Sequence, residues 1–156
     1  MAEVAFYHLQ TTSLEAALPQ LLAKCLQRDW RVVVECGAHE SLASLDESLW
    51  TYSDAAFLPH ARDGGEGVGE PGRQPIWLCA NGGNPNGAKV RFFIEGALPT
   101  ANDNLDVYER TILMFDGARD EAVVSARAAW KALRDAGHTL SYWKQSDSGA
   151  WQNMAG

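Results

Sequence analysis

The stretch Arg31-Val32-Val33-Val34-Glu35-Cys36 decides the fold. It is nearly all apolar, whereas a strand with one face in water would alternate, so it reads as a strand covered on both faces. Gly37 ends it. Upstream, Val4-Ala5-Phe6-Tyr7-His8-Leu9 is a short aromatic and β-branched run, and reads as a first strand. Between the two, Ser13 stands as the N-cap of a helix that places Leu14, Leu18, Leu21, Leu22 and Cys25 on one side. Pro19 falls inside that pattern and predicts a kink or a late start. Downstream, residues 39–50 return to helical spacing, with Leu42, Leu45, Leu49 and Trp50 as the apolar stripe. This β-α-β-α opening implies parallel strands joined by right-handed crossovers.

The remainder extends the same scheme. Residues 51–75 form a long, glycine-rich connection. Residues 75–80 (PIWLCA) and 89–95 (KVRFFIE) read as strands on either side of the turn-rich 81–87 (NGGNPNG). Residues 108–115 (YERTILMF) suit a fifth strand, with a helix as the other option. Residues 118–136 are Ala-rich and stop at Gly137, which predicts a helix. Residues 138–144 (HTLSYWK) suit a last strand, and the polar tail from Gln145 is expected to fray. The expected class is therefore α/β. It is one three-layer domain over residues 1–144 with a central, mostly parallel (mixed) sheet, Rossmann-like but without a nucleotide site, followed by the tail 145–156.

Composition narrows the function. At 156 residues, 46% of them hydrophobic and 21% charged, the chain can bury one core. Thirteen Lys and Arg against 20 Asp and Glu give 13 − 20 = −7. That excludes broad neutralisation of a phosphate backbone, which needs a basic face, but not one local cationic patch. No apolar run approaches the roughly 18 residues of a membrane helix. The N-terminus lacks a basic region followed by an apolar one, so secretion is not expected. Cys25, Cys36 and Cys79 have no CxxC spacing and suit buried thiols in a reducing cytoplasm.

Most catalytic motifs fail on inspection. Gly67-Val68-Gly69-Glu70-Pro71-Gly72 matches G-x-G-x-x-G in letters only. A dinucleotide loop must follow a strand and open a helix, whereas this one contains Pro71 and leads into a strand. No P-loop and no G-x-S-x-G occur, and His8, His39, His60 and His138 lack metal-ligand spacing. Asp46 and Glu47 are adjacent on a helix and point apart, as a solvated face does. Neither a catalytic residue nor a cofactor or metal is expected.

One constellation survives. Arg127, Trp130, Lys131 and Arg134 are spaced i, i+3, i+4 and i+7, so one helical face presents three cations around an indole. Asp120 and Glu121 occupy the first turn instead, where they favour the positive end of the helix dipole. A basic spot beside an aromatic suits a ligand with a carboxylate and an apolar group. A solvated helix with snorkelling cations and a half-buried Trp130 has the same spacing. Trp50 and Phe57, at and after a helix exit, either plug the core or line a pocket.

The pieces Phe6-Tyr7-His8-Leu9, Trp30-Arg31-Val32, Leu45-Asp46-Glu47-Ser48-Leu49-Trp50, Phe57-Leu58-Pro59-His60, Pro75-Ile76-Trp77-Leu78 and Arg127-Ala128-Ala129-Trp130-Lys131-Ala132 follow one another in a recognisable order. In that order the chain resembles the chi subunit family of bacterial DNA polymerase III, part of the clamp-loader assembly. The resemblance implies a non-catalytic α/β domain that links the holoenzyme to single-stranded DNA-binding protein. It would grip that protein's acidic C-terminal tail, which ends in Phe and a free carboxylate. A small psi subunit, or another clamp-loader subunit, would be the second partner, and contact with DNA would be indirect. Carried over, Arg127 is the carboxylate clamp and Trp130 the wall of the Phe pocket, with Trp50 and Phe57 nearby. Val123 stands where better-known members carry a further cation, so either Lys131, Arg134 or Arg119 would compensate, or the tail would be held more weakly. Two competing readings remain: a nucleotide-dependent enzyme with a pocket at the strand ends, and a protein that stacks single-stranded nucleic acid directly.

Overall fold

The computed structural model describes residues 3–10, 13–51, 60–62, 74–80, 84–99, 104–145, 148 and 151–155. Strand β1 (Glu3–Leu9) leads to helix α1 (Leu14–Gln27) and strand β2 (Val32–Cys36). A short 3-10 turn (His39–Ser41) opens helix α2 (Leu42–Thr51). Strands β3 (Ala61–Arg62), β4 (Ile76–Cys79), β5 (Val90–Ile94) and β6 (Arg110–Asp116) follow. Helix α3 (Asp120–Asp135) and strands β7 (Thr139–Gln145) and β8 (Trp151–Ala155) complete the chain.

The strands form one sheet in the order β3-β4-β2-β5-β6-β1-β7-β8. Neighbours run parallel except β7 and β8, which are antiparallel. Alternation along each strand builds the two outer layers. Ala5, Tyr7, Leu9, Val32, Val34, Phe92, Ile94, Ile112 and Met114 share a core with Leu18, Leu21 and Leu22 of α1 and Leu42, Leu45 and Leu49 of α2. Val4, Phe6, Phe93, Leu113 and Phe115 meet Ala126 and Leu133 of α3 on the other face. Both faces of the central strands are thus covered, which is why they are mostly apolar. The expected three-layer α/β architecture with a mostly parallel sheet is what the chain adopts.

Several local readings need correction. Helix α1 begins at Leu14, ahead of Pro19, so there is no late start; Pro19 lies buried within the helix. Ser13 holds the N-cap position through its backbone, its carbonyl accepting from Ala16 and Ala17, with no side-chain cap. Residues 110–116, by contrast, form the expected fifth strand rather than its helical alternative, since Ile112 and Met114 face one core and Leu113 and Phe115 the other. The expectation of a frayed tail also fails, because β8 pairs with β7. The Trp151 ring sits edge-on to Tyr7 at 4.8 Å, and that aromatic contact anchors an otherwise polar segment. The Gly67–Gly72 motif and Phe57 lie outside the described residues.

Two glycines do identifiable work. Gly137 adopts φ +93° and closes α3: its N–H reaches the Arg134 carbonyl, and His138 N–H reaches that of Leu133. This pair of bonds is the Schellman arrangement, which only a left-handed residue permits. Gly117, in the β6–α3 turn, donates its N–H to the Leu9 carbonyl at 2.8 Å. A Cβ there would overlap the His8 imidazole, so glycine lets the turn lie directly on the end of β1.

Candidate functional site

Helix α3 lies over β1 and β7, and its inward face carries Val123, Ala126, Arg127 and Trp130 at the i, i+3, i+4, i+7 spacing. The parallel register of β1 and β7 pairs Phe6 with Tyr142 and His8 with Lys144. These even-numbered residues face the helix. With Phe115 of β6 they form the floor of a cleft of about 330 Å³, of which the α3 residues form the wall. A dry cavity of about 150 Å³ accommodates a benzene ring, so this cleft has room for a phenyl group and a carboxylate.

Its apolar end is rigid. Trp130 packs edge-on against Phe6 with ring centroids 5.1 Å apart, and edge-on against Tyr142 at 6.1 Å. His8 lies between Phe115 at 4.9 Å and Tyr142 at 5.9 Å. The Tyr142 hydroxyl is hydrogen-bonded to His8 Nδ1. Edge-to-face contacts of this kind contribute about 0.5–1.5 kcal/mol each beyond area burial, and they hold the indole in one orientation.

Its polar end is cationic. No ion pair among the described residues engages Arg127 or Lys144, and no carboxylate occurs among the described residues lining the cleft. Burial, and then the Lys144 ammonium, hold the His8 pKa below the ordinary imidazole value, against the opposing pull of Asp116. His8 is therefore neutral at pH 7. Burial likewise pushes the Tyr142 phenol up, opposed by the Arg127 guanidinium. An anion arriving here meets two cations, and no carboxylate among the described residues that line the cleft.

The residues singled out from the sequence separate into groups. Arg127 and Trp130 line the cleft together. Lys131 and Arg134 are exposed and do not line it, and the Arg134 Nε lies 3.8 Å from an Asp135 carboxylate oxygen. Arg119 is held by Glu121 outside the cleft. Trp50 belongs to α2, which packs through Leu42, Leu45 and Leu49 on the face of the sheet opposite α3. The spacing of α3 could not disclose Phe6, His8, Phe115, Tyr142 and Lys144. The available signal was the shared parity of the β1 and β7 residues, with a polar group closing each run.

A second, larger hollow of about 780 Å³ opens where a nucleotide enzyme of this topology would keep its ligand. The chain leaves β1 through α1 on one face and leaves the neighbouring β6 through α3 on the other, and the crevice opens between their carboxyl ends. Glu15, Glu95, Asp116 and Glu121 line it against a single Arg119, which Glu121 already engages. Phosphate is repelled by such a lining. Among the described residues no group of three or more His, Cys, Asp or Glu is placed to hold a metal ion, and no helix is long and apolar enough to cross a membrane.

A model of the DNA polymerase III chi subunit (HolC) family matches residues 1–141. The chain belongs to that family. A relative from Rickettsia prowazekii (strain Madrid E), described as a probable DNA polymerase III subunit chi, is 27% identical over 120 residues. That match covers 74% of this chain and 71% of the relative. Membership in the chi family assigns the chain an accessory role in DNA replication, alongside other subunits of polymerase III.

Proposed function

We propose that the chain is a non-catalytic adaptor, and that the cleft under α3 receives the acidic, Phe-terminated C-terminal tail of single-stranded DNA-binding protein. One observation supports this above the others: Arg127 and Trp130 meet over a ring-sized hollow whose described lining holds no carboxylate. The guanidinium offers a planar fork to a chain-terminal carboxylate, and it stays charged at any working pH. A charge-assisted hydrogen bond contributes about 1.5–3 kcal/mol, and burial of a Phe ring about as much again. After the cost of ordering a flexible peptide, the expected affinity is on the order of micromolar, about −8 kcal/mol. Acidic residues upstream in the tail add attraction that salt screens over roughly 8 Å at physiological ionic strength.

On this reading the second partner is a psi subunit or another clamp-loader subunit, and DNA is reached only through the bound protein. The chain's net charge of −7 supports that indirect contact, since bare phosphate would be repelled. It would work in the cytoplasm, where replication proteins meet the chromosome. Calorimetric titration with the free-acid tail peptide and with its C-terminally amidated form tests the proposal. Binding of the free acid, weakened at least about tenfold by amidation, is the expected result. Equal affinity for the two peptides would remove the carboxylate clamp from the account.

A further inference from the structure

Arg127 is the one cation that α3 contributes to the cleft. One turn earlier the helix places Val123, which offers only methyl surface, while Lys131 and Arg134 stay outside the lining. A lone exposed guanidinium holds a carboxylate weakly, because solvent and salt screen it. The sheet supplies what the helix lacks. Because β1 and β7 run parallel in register, Lys144 stands directly beside His8, and Tyr142 beside Phe6.

We infer that Lys144 of β7 is the second anion ligand of this cleft, so that a bound carboxylate bridges helix and sheet beside the Tyr142 hydroxyl. The inference rests on the proposal that a chain-terminal carboxylate is the ligand, and it names the residue that completes the receptor. Three features carry it. Lys144 lines the cleft, is half-buried and has no ion-pair partner among the described residues, so its charge is less screened than those of Lys131 or Arg134. The His8–Tyr142 hydrogen bond ties β1 to β7 across the floor of the cleft, and the β1–β7 register sets Lys144 beside His8. The indole and Phe6 close the remaining side, which sets the ring of the ligand on the apolar end and its carboxylate across the two cations.

The test compares wild type, Lys144→Gln, Lys144→Arg and the double variant Lys131→Gln/Arg134→Gln against two probes. One is the Phe-terminated acidic peptide, read by calorimetry. The other is N-acetylphenylalanine, a minimal aromatic carboxylate, read from the Trp130 indole resonance and assigned with Trp130→Phe. Lys144→Gln is expected to weaken both probes about five- to tenfold with an unchanged melting temperature, and Lys144→Arg to restore most of the loss. The double variant should leave N-acetylphenylalanine within about twofold, as exposed charges outside the lining do. An unchanged affinity in Lys144→Gln, with the loss appearing in the double variant, would overturn the inference and leave the tail reading standing. Binding of N-acetylphenylalanine that needs Lys144, without binding of the peptide, would overturn the tail reading and keep the inference. No response from either probe would overturn both.

Discussion

The β6–α3 turn separates two hollows of opposite character. The larger, about 780 Å³, opens at the carboxyl ends of the parallel strands and is lined by four carboxylates. The smaller, about 330 Å³, lies under α3 and carries two cations with no ion-pair partner among the described residues, and four aromatic rings. Phe115 and Ala126 line both and so form part of the wall between them. The first turns of α3 give Glu121 to one hollow, and a later turn gives Arg127 to the other. A single helix thus gives one acid, Glu121, to one hollow and one cation, Arg127, to the other, with the acid in the first turn, where the helix dipole favours it. Size and topological position alone would have favoured the strand-end crevice. The charge of the lining reverses that choice.

The largest effect is expected where the cationic side is removed. Arg127→Ala should weaken the tail peptide about 10- to 100-fold by calorimetry, with the far-UV spectrum unchanged. A loss of less than about threefold would mean that the two hollows do not differ in the way described.

Next in size is damage to the wall itself. Gly117→Ala would force a methyl group into the His8 ring and within 2.8 Å of the Leu9 carbonyl oxygen. Denaturant unfolding should show a loss of about 1–3 kcal/mol, the range of overpacking. A neutral result would show that the turn can lift away from β1 without cost.

A smaller effect follows from His8. Its folded pKa lies below the ordinary value, so between the two the unfolded chain binds more protons than the folded one. Stability from this group is complete above roughly pH 6.5 and declines as pH falls through that value toward the folded pKa. Tyr142 and Lys144 on β7, Asp116 on β6 and Arg127 on α3 are the charged or titratable groups around this region of the cleft. The melting temperature of wild type should drop more between pH 7 and pH 5.5 than that of His8→Gln. Parallel pH profiles would mean that His8 is not the group responsible.

The smallest effect belongs to the acidic side. Glu95→Gln and Glu121→Gln should leave the tail-peptide affinity within about twofold, since they line the other hollow. Wild type should show no thermal shift with ATP or NAD. A clear shift would restore the strand-end crevice as a ligand site.

Much of this was legible in the chain, for identifiable reasons. The strands at 4–9, 31–36, 75–80 and 89–95 declared themselves because residues buried on both faces are mostly apolar. Helix α3 declared its end through Gly137, whose φ of +93° few other residues tolerate. Arg127 and Trp130 were visible because helical spacing alone puts them on one face. Lys144 and His8 were not. They are adjacent only through the β1–β7 register, which joins residues far apart in the chain. Strand β8 was missed because its polar sequence gains its hold from one indole, Trp151, on a tyrosine at the other end of the chain.

Local chemistry by itself determined the alternating elements, the α/β class and one basic, aromatic helix face, because period and burial demands are written within ten or twenty residues. Only the tertiary structure decided that this face covers a hollow, that the hollow's second cation comes from the sheet, and that the larger crevice beside it is acidic. Those outcomes depend on which strands become neighbours and in which register, and that is settled by packing the whole chain at once.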